Sequence, residues 1–241
     1  LEPRFASKRL DEFRNADIQA LKGEMGVKAA KTVNNALTAL SKCLKIAVEW
    51  EVIERMPCNI RLLKVTSGVP GWYETLEFAR LVEAAKKVDP RIHLMVLLAG
   101  AAGLRRGEII ALKWSDLDLK RRLIHVQRSI WWGKKRERHE TLPKGGKGRI
   151  VDMTKALADA LTKHRHLKGD RVLYGDDNQE LTNKVVRAWL ERAQLAASIE
   201  VTGAIHRLRH TFCSMLAAEG ATPLAIQQLA GHAHLSTTMK Y

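Results

Sequence analysis

Acidic side chains are scarce in this 241-residue sequence: 26 Asp and Glu stand against 41 Lys and Arg, a formal net charge of +15. A deficit of that size leaves two readings, a plain basic soluble protein or a binder of the phosphate backbone of nucleic acid. Cysteine is also rare. Cys43, Cys58 and Cys213 are odd in number and show no C-x-x-C spacing, which argues against a disulfide framework and against a zinc site, and suits a reducing cytoplasm. Long apolar runs are missing: the longest, Ile92 to Leu104, is interrupted by His93 and falls short of the ~20 residues of a bilayer span. The start carries no signal-peptide pattern, and no repeat or low-complexity tract appears. What is present, 46% apolar residues, is enough for a packed core. The first residue is Leu1 rather than methionine, so the expectation is a piece of a longer protein.

The positive charge is concentrated. Residues 1–65 hold 12 basic and 8 acidic side chains, whereas residues 120–149 hold 11 basic and 2 acidic, a local net of +9. Apolar residues at Val33, Leu37, Leu40, Leu44 and Ala47 follow a 3.6-residue period and predict a helix over residues 32–50. An earlier helix is expected over Leu10 to Met25, and Pro57 is expected to bar continuation of the second. Ser67, Gly68, Pro70 and Gly71 predict a linker, dividing a helical domain, 1–67, from a second domain, 68–241. In the second, Thr75 is a candidate N-cap, Ile92 to Ala102 a buried helix, and "RGEIIALKWSDL" a further one. The period then changes. "RLIHVQRSI" and "RIVDM" are β-branched and alternating, so a small three-stranded antiparallel sheet is expected, with a long flexible basic excursion between these segments. Helices return from Thr154, Thr182, His206 and Pro223. The fold class is mainly α with a small sheet.

Four short stretches carry candidate chemistry. In "AGLRRGEIIALKW", Arg105 follows Gly103, a residue that would let the chain approach a ligand closely; it is equally a surface arginine paired with Glu108 three residues on. In "HRLRH", His206 and Arg209 share a helix face, with His210 one turn beyond His206, and a guanidinium beside an imidazole suits a phosphate. His232 follows Gly231 in "LAGH", a pairing also common as a plain helix end. Lys144 sits in the glycine-rich turn "PKGGKGR", either a solvated lysine or a general acid delivered by a loop. No carboxylate cluster suited to Mg²⁺ accompanies them, which argues against a metal nuclease.

The order "GLRRGEIIALKWSDLDL", "KGGKGRIVDM", "HRLRHTF", "LAGH" and a tyrosine nine residues past the last histidine resembles the tyrosine recombinase (phage integrase) family, from about Tyr73 to Tyr241. Residues 29–64, with "ALTALSKCLKIAVEWEVIERMPC", are similar to the end of that family's helical core-binding domain. The resemblance implies a site-specific recombinase or integrase that cleaves and rejoins DNA with no metal, ATP or other cofactor. Tyr241 matches the nucleophile that forms a 3′-phosphotyrosine. Arg105, Arg209 and His232 match the ligands of the scissile phosphate, Lys144 the acid for the departing 5′-oxygen, and His206 the histidine that assists proton movement at the tyrosine. Glu108 matches a supporting acid. The implied partners are a double-stranded recombination site, a homotetramer on DNA and accessory bending proteins; the implied setting is a bacterial cytoplasm and its nucleoid. A type IB topoisomerase and an inert DNA-binding regulator are the alternatives. Ala230 stands where the family usually has leucine and Asp152 where proline is frequent. The family's helix beyond the tyrosine and its N-terminal arm-binding domain have no counterpart here. Without that helix a monomer is expected in the absence of DNA, with Tyr241 poorly positioned or displaced from the arginines.

Overall fold

The computed structural model describes residues 2–65, 71–133 and 137–241. The expected domain boundary at 67/68, and Lys134, Lys135 and Arg136 of the basic strip, lie outside the described residues. The chain divides into two compact units, Leu1–Gly68 and Val69–Tyr241.

The first unit contains α1 (Glu2–Phe5), a 3-10 turn at Leu10–Glu12, α2 (Asn15–Glu24) and α3 (Ala30–Glu49). The expected continuous helix from Leu10 is broken because Phe13 and Arg14 are extended. Phe13 enters the core, and α2 restarts with Asp17 Oδ2 accepting from the Arg14 N–H at 2.8 Å. Helix α3 buries Val33, Leu37, Leu40, Leu44 and Ala47, the stripe that the period predicts; burial of each leucine contributes about 1.5–3 kcal/mol. The helix stops at Glu49, ahead of Pro57, and the left-handed Glu51 (φ 58°) turns the chain back. Proline is therefore not what ends it. The returning segment is pinned by Asn34, whose Nδ2 donates to the Leu63 carbonyl at 2.9 Å while its Oδ1 accepts from the Leu63 N–H at 2.8 Å.

The second unit begins with α4 (Thr75–Val88) and α5 (Pro90–Gly100). Thr75 is the first helical residue of α4 rather than its cap, a position that Glu74 occupies. Helix α5 starts earlier than expected because Asp89 caps it, accepting from the Arg91 N–H at 2.7 Å, and Pro90 suits its first turn. Ile92 and every residue from Leu94 to Gly100 are buried. Helices α4, α7 (Lys155–His164), α8 (Asn183–Ala196) and α9 (Ile205–Ala218) surround it. Thr154 and Thr182 cap α7 and α8 through their hydroxyls. Helices α10 (Pro223–Ala230) and α11 (Leu235–Thr238) complete the unit. Phe212 and Cys213 of α9 pack with Ile226 and Ala230 of α10 in a small satellite core.

Between α5 and α7 the chain forms α6 (Arg106–Ala111), a 3-10 turn at Trp114–Asp116, then β1 (Leu117–Asp118), β2 (Leu123–Val126), β3 (Ser129–Trp132), β4 (Arg138–Thr141) and β5 (Arg149–Asp152). The helix expected through "RGEIIALKWSDL" is cut short where Leu112 becomes extended. The three-stranded antiparallel sheet has the order β1-β2-β5, with Ile124 opposite both Leu117 and Val151. The excursion holds a second antiparallel pair, β3 with β4, where a long flexible loop was expected. Its anchor is Glu140, which accepts from Arg171 at 2.7 Å. Burial opposes ionisation of Glu140, but the Arg171 bond and the charges of Arg171, Arg138 and Lys113 outweigh it and hold the carboxyl below its usual range. No helix among the described residues is long and apolar enough to cross a membrane.

Candidate active site

Three arginines from three elements converge on the C-terminal end of α10. Arg149 of β5 donates Nε to the Leu229 carbonyl at 2.8 Å. Arg209 of α9 donates to the Ala230 and Gly103 carbonyls. Arg105, at the N-cap of α6, donates to the Gly231 carbonyl. Carbonyls that end a helix lack intrahelical partners and carry the negative end of its dipole, so they attract cations. Gly231 makes the row accessible. Its left-handed conformation (φ 67°, ψ 45°) ends α10, and a Cβ there would lie 3.0 Å from Arg149 Cδ. Gly103, expected to admit a ligand, instead admits protein: a Cβ would meet the Phe212 ring at 2.3 Å.

Glu108 neutralises part of this cluster. Its carboxylate is buried and accepts Arg149 Nη1 and Nη2 at 2.9 and 2.8 Å, Arg105 Nη1 at 2.9 Å and the Arg105 N–H at 2.8 Å. Burial alone would raise its pKa, but bonding to Arg149 and the charges of Arg149 and Arg105 lower it. Arg105 thus pairs with Glu108, the partner three residues on that the sequence offered, and also belongs to a cationic cluster. Arg209 is buried, and desolvation together with repulsion from Arg105 and Arg149 lowers its pKa to about 10. A guanidinium has five N–H donors. Arg105 and Arg209 have thus not exhausted theirs on protein, and an anion that replaces lost solvation is the natural occupant of such a site.

Tyr241 and three histidines adjoin this cluster. His232 Nδ1 bonds Thr238 Oγ1 at 2.9 Å, and its ring lies nearly parallel to Tyr241, planes 10° apart and centroids 6.4 Å apart. Burial, then the charges of Arg209 and Arg105, lower the His232 pKa to about 4. A neutral ring there gains from any anion placed near it. Tyr241, expected to be poorly positioned, is held: its N–H donates to the Thr238 carbonyl at 3.1 Å and its ring packs on the satellite core. Its hydroxyl bonds His210 Nδ1. Burial raises its pKa above the ordinary phenol value.

His206, for which proton handling at the tyrosine was expected, is exposed on α9, and His210 one turn on is the histidine at the hydroxyl. Partial desolvation, then repulsion from Arg106, Arg209, Arg105 and Lys144, lowers the pKa of His206. Lys144 is exposed in the turn between β4 and β5 and lines a groove with Arg149, Gln227, Gly231 and His232. Among the described residues no group of three or more His, Cys, Asp or Glu could hold a metal ion.

Sequence reasoning missed Arg149 and passed over His210. Strand alternation places Arg149 on the same face as buried Val151, and a cation on the inward face of a strand requires a buried partner. That signal was available.

Residues 72–241 match the phage integrase family model. The tyrosine recombinase XerA of Thermococcus kodakarensis is 32% identical over 214 residues, covering 86% of this chain and 70% of that protein. The ICEBs1 integrase of Bacillus subtilis is 24% identical over 226 residues, covering 87% of this chain and 60% of that one. In fold, the chain is similar to the Tn1549 transposon integrase solved with a circular intermediate DNA, at a TM-score of 0.85 and 20% identity, covering 99% of this chain and 85% of that one.

Proposed function

Since the chain belongs to the phage integrase family, we propose that it is a site-specific DNA recombinase whose Tyr241 attacks a scissile phosphate held by Arg105, Arg209 and His232. The observation that carries this is the convergence of Arg105 and Arg209 on the end of α10, with His232 and Tyr241 stacked beside them. A pentavalent phosphorane carries more charge on its non-bridging oxygens than the diester does, so two guanidiniums and an imidazole stabilise the transition state more than the ground state. The Tyr241 oxygen bonds to phosphorus, the P–O5′ bond breaks, and Lys144 protonates the departing oxygen. The 3′-phosphotyrosine conserves the ester bond energy, so a 5′-hydroxyl can reverse the step and rejoin a strand without ATP. Glu108 and Arg149 set the arginines in place.

Double-stranded DNA carrying the recombination site is the substrate, and residues 120–149 supply attraction to its backbone. Exchange between two duplexes cuts four strands, which calls for four nucleophiles and hence a tetramer on DNA. The first unit serves as the core-binding domain. The setting is the cytoplasm, at the nucleoid, where integration or excision of a phage or other mobile element takes place with accessory bending proteins as further partners.

The test is incubation with a nicked suicide site in EDTA. A covalent protein–DNA adduct is expected, and none from Tyr241→Phe; adduct that requires a metal, or that survives the substitution, overturns the reading.

A further inference from the structure

Two imidazoles project from α9 one turn apart, and the structure separates their surroundings. His206 is exposed among cations, and Lys144 is one of the charges that act on it. His210 is half-buried, with its ring centroid 5.8 Å from that of Tyr241 and its Nδ1 hydrogen-bonded to the tyrosine hydroxyl. Resting on the reading of Tyr241 as nucleophile, the geometry points to His210 as a catalytic residue that accepts the phenolic proton through Nδ1, leaving His206 on the leaving-group side of the phosphate with Lys144.

The Tyr241 O–H bond breaks and its proton passes to His210 Nδ1. The oxygen lone pair forms the bond to phosphorus, the P–O5′ pair departs with the 5′-oxygen, and Lys144 supplies the proton that oxygen takes. On rejoining, the neutral Lys144 amine takes the proton of the attacking 5′-hydroxyl, the 5′-oxygen bonds to phosphorus, and the imidazolium of His210 returns its proton to the tyrosine oxygen as the phosphotyrosine bond breaks. Such a role needs a neutral ring with hydrogen on Nε2 and a free pair on Nδ1. The charges acting on His210 secure it: His206 and Arg209 from α9 and Lys240 beside Tyr241 itself, while His210 in turn lowers the pKa of His232 in the turn after α10. Desolvation and then the positive members of that set lower the His210 pKa below 6.5, so the ring is unprotonated at neutral pH. Cys213, the other polar group at the phenol, does not compete as a base, because burial pushes its thiol pKa up. The phenol needs an acceptor in contact, since burial raises its own pKa.

The test measures single-turnover adduct formation by the 241-residue chain from pH 5 to pH 9 on two suicide substrates, one normal and one with sulfur replacing the bridging 5′-oxygen. A thiolate departs without a proton, so the second substrate removes the need for an acid at the leaving group. Lys144→Ala and His206→Gln are expected to recover to within a few-fold of the unsubstituted chain on the sulfur substrate. His210→Asn offers an amide near the Nδ1 position that can hydrogen-bond but cannot take a proton; it is expected to stay about 100-fold slow on both substrates and to lose the decline in rate on the acid side. DNA affinity and melting temperature of His210→Asn close to those of the unsubstituted chain show that the loss is chemical. Recovery of His210→Asn on the sulfur substrate, a full rate on the normal one, or His206→Gln staying slow in its place would overturn the assignment. An adduct from Tyr241→Phe, or none from the unsubstituted chain, would instead overturn the reading of Tyr241.

Discussion

Arg149 and Glu108, from a strand and a helix 41 residues apart in sequence, form a two-pronged ion pair at 2.9 and 2.8 Å, and the same carboxylate also holds Arg105 at 2.9 Å. The pair is nearly solvent-free, with side-chain exposures of 9% and 1%. Removing one partner from such a pair strands the other charge and costs about 3–5 kcal/mol. Glu108→Gln should therefore lower the melting temperature by roughly 6–20 °C, taking ~2–4 °C per kcal/mol for a chain of this size. Arg149→Lys, which keeps the charge but loses the fork, should also destabilise and slow adduct formation. Calorimetry beside a cleavage assay checks both, and an Arg149→Lys variant with unchanged melting and rate would show that the fork is dispensable.

Gly231 is a second sensitive point, for a different reason. Its left-handed backbone costs an L residue about 1–2 kcal/mol, and an added Cβ would press on the Arg149 side chain. Gly231→Ala should destabilise by about that amount and displace the carbonyl that Arg105 uses. Adduct yield should fall more than stability does; equal effects on both would place the change in folding alone.

Acid should weaken the fold in two stages. His93, His164, His206, His210 and His232 all have pKa values lowered from 6.5, each with desolvation as the leading cause, and His232 reaches about 4. Between the folded and unfolded values the unfolded chain binds more protons, so stability rises with pH there. It is complete above pH 6.5 and lost as pH falls toward 4. Glu108, lowered from 4.5, adds a loss below that value. Melting temperature measured from pH 8 to pH 4 should decline, less steeply in His232→Gln. A flat curve in the unsubstituted chain contradicts the lowered pKa values of these partly desolvated histidines.

The basic strip predicts a salt response. Log K falls by about 0.9 for each phosphate neutralised per tenfold rise in salt. Reversing Lys134, Lys135 and Arg136 to glutamate should flatten the slope for DNA binding, measured by fluorescence anisotropy across a salt series. An unchanged slope means that these side chains do not meet phosphate.

Legibility followed the range of the interaction. The α3 stripe at Val33, Leu37, Leu40, Leu44 and Ala47 was readable because a helix repeats its face every three to four residues. Thr154 and Thr182 marked helix starts through hydroxyls that reach only three residues ahead. The break at Phe13 was not readable, since "LDEFRNADIQALKG" has a helical composition and only burial of Phe13 in the core selects the extended path. The β3–β4 pair was hidden for a related reason: its anchor, Glu140 with Arg171, joins residues 31 apart.

The sequence by itself determined the helical character of both units, the concentration of positive charge in residues 120–149, and the order of Arg105, Lys144, His206, Arg209, His232 and Tyr241 from which the family resemblance comes. Tertiary structure alone decided that Arg149 shares Glu108 with Arg105, that three carbonyls at the end of α10 receive three arginines, and that His210 rather than His206 meets the Tyr241 hydroxyl. Local spacing sets which side chains share a helix face, and His206 and His210 share one. Which of them touches the tyrosine depends on how α11 and the residues after it fold back on α9, through contacts 31 residues apart that no local pattern encodes.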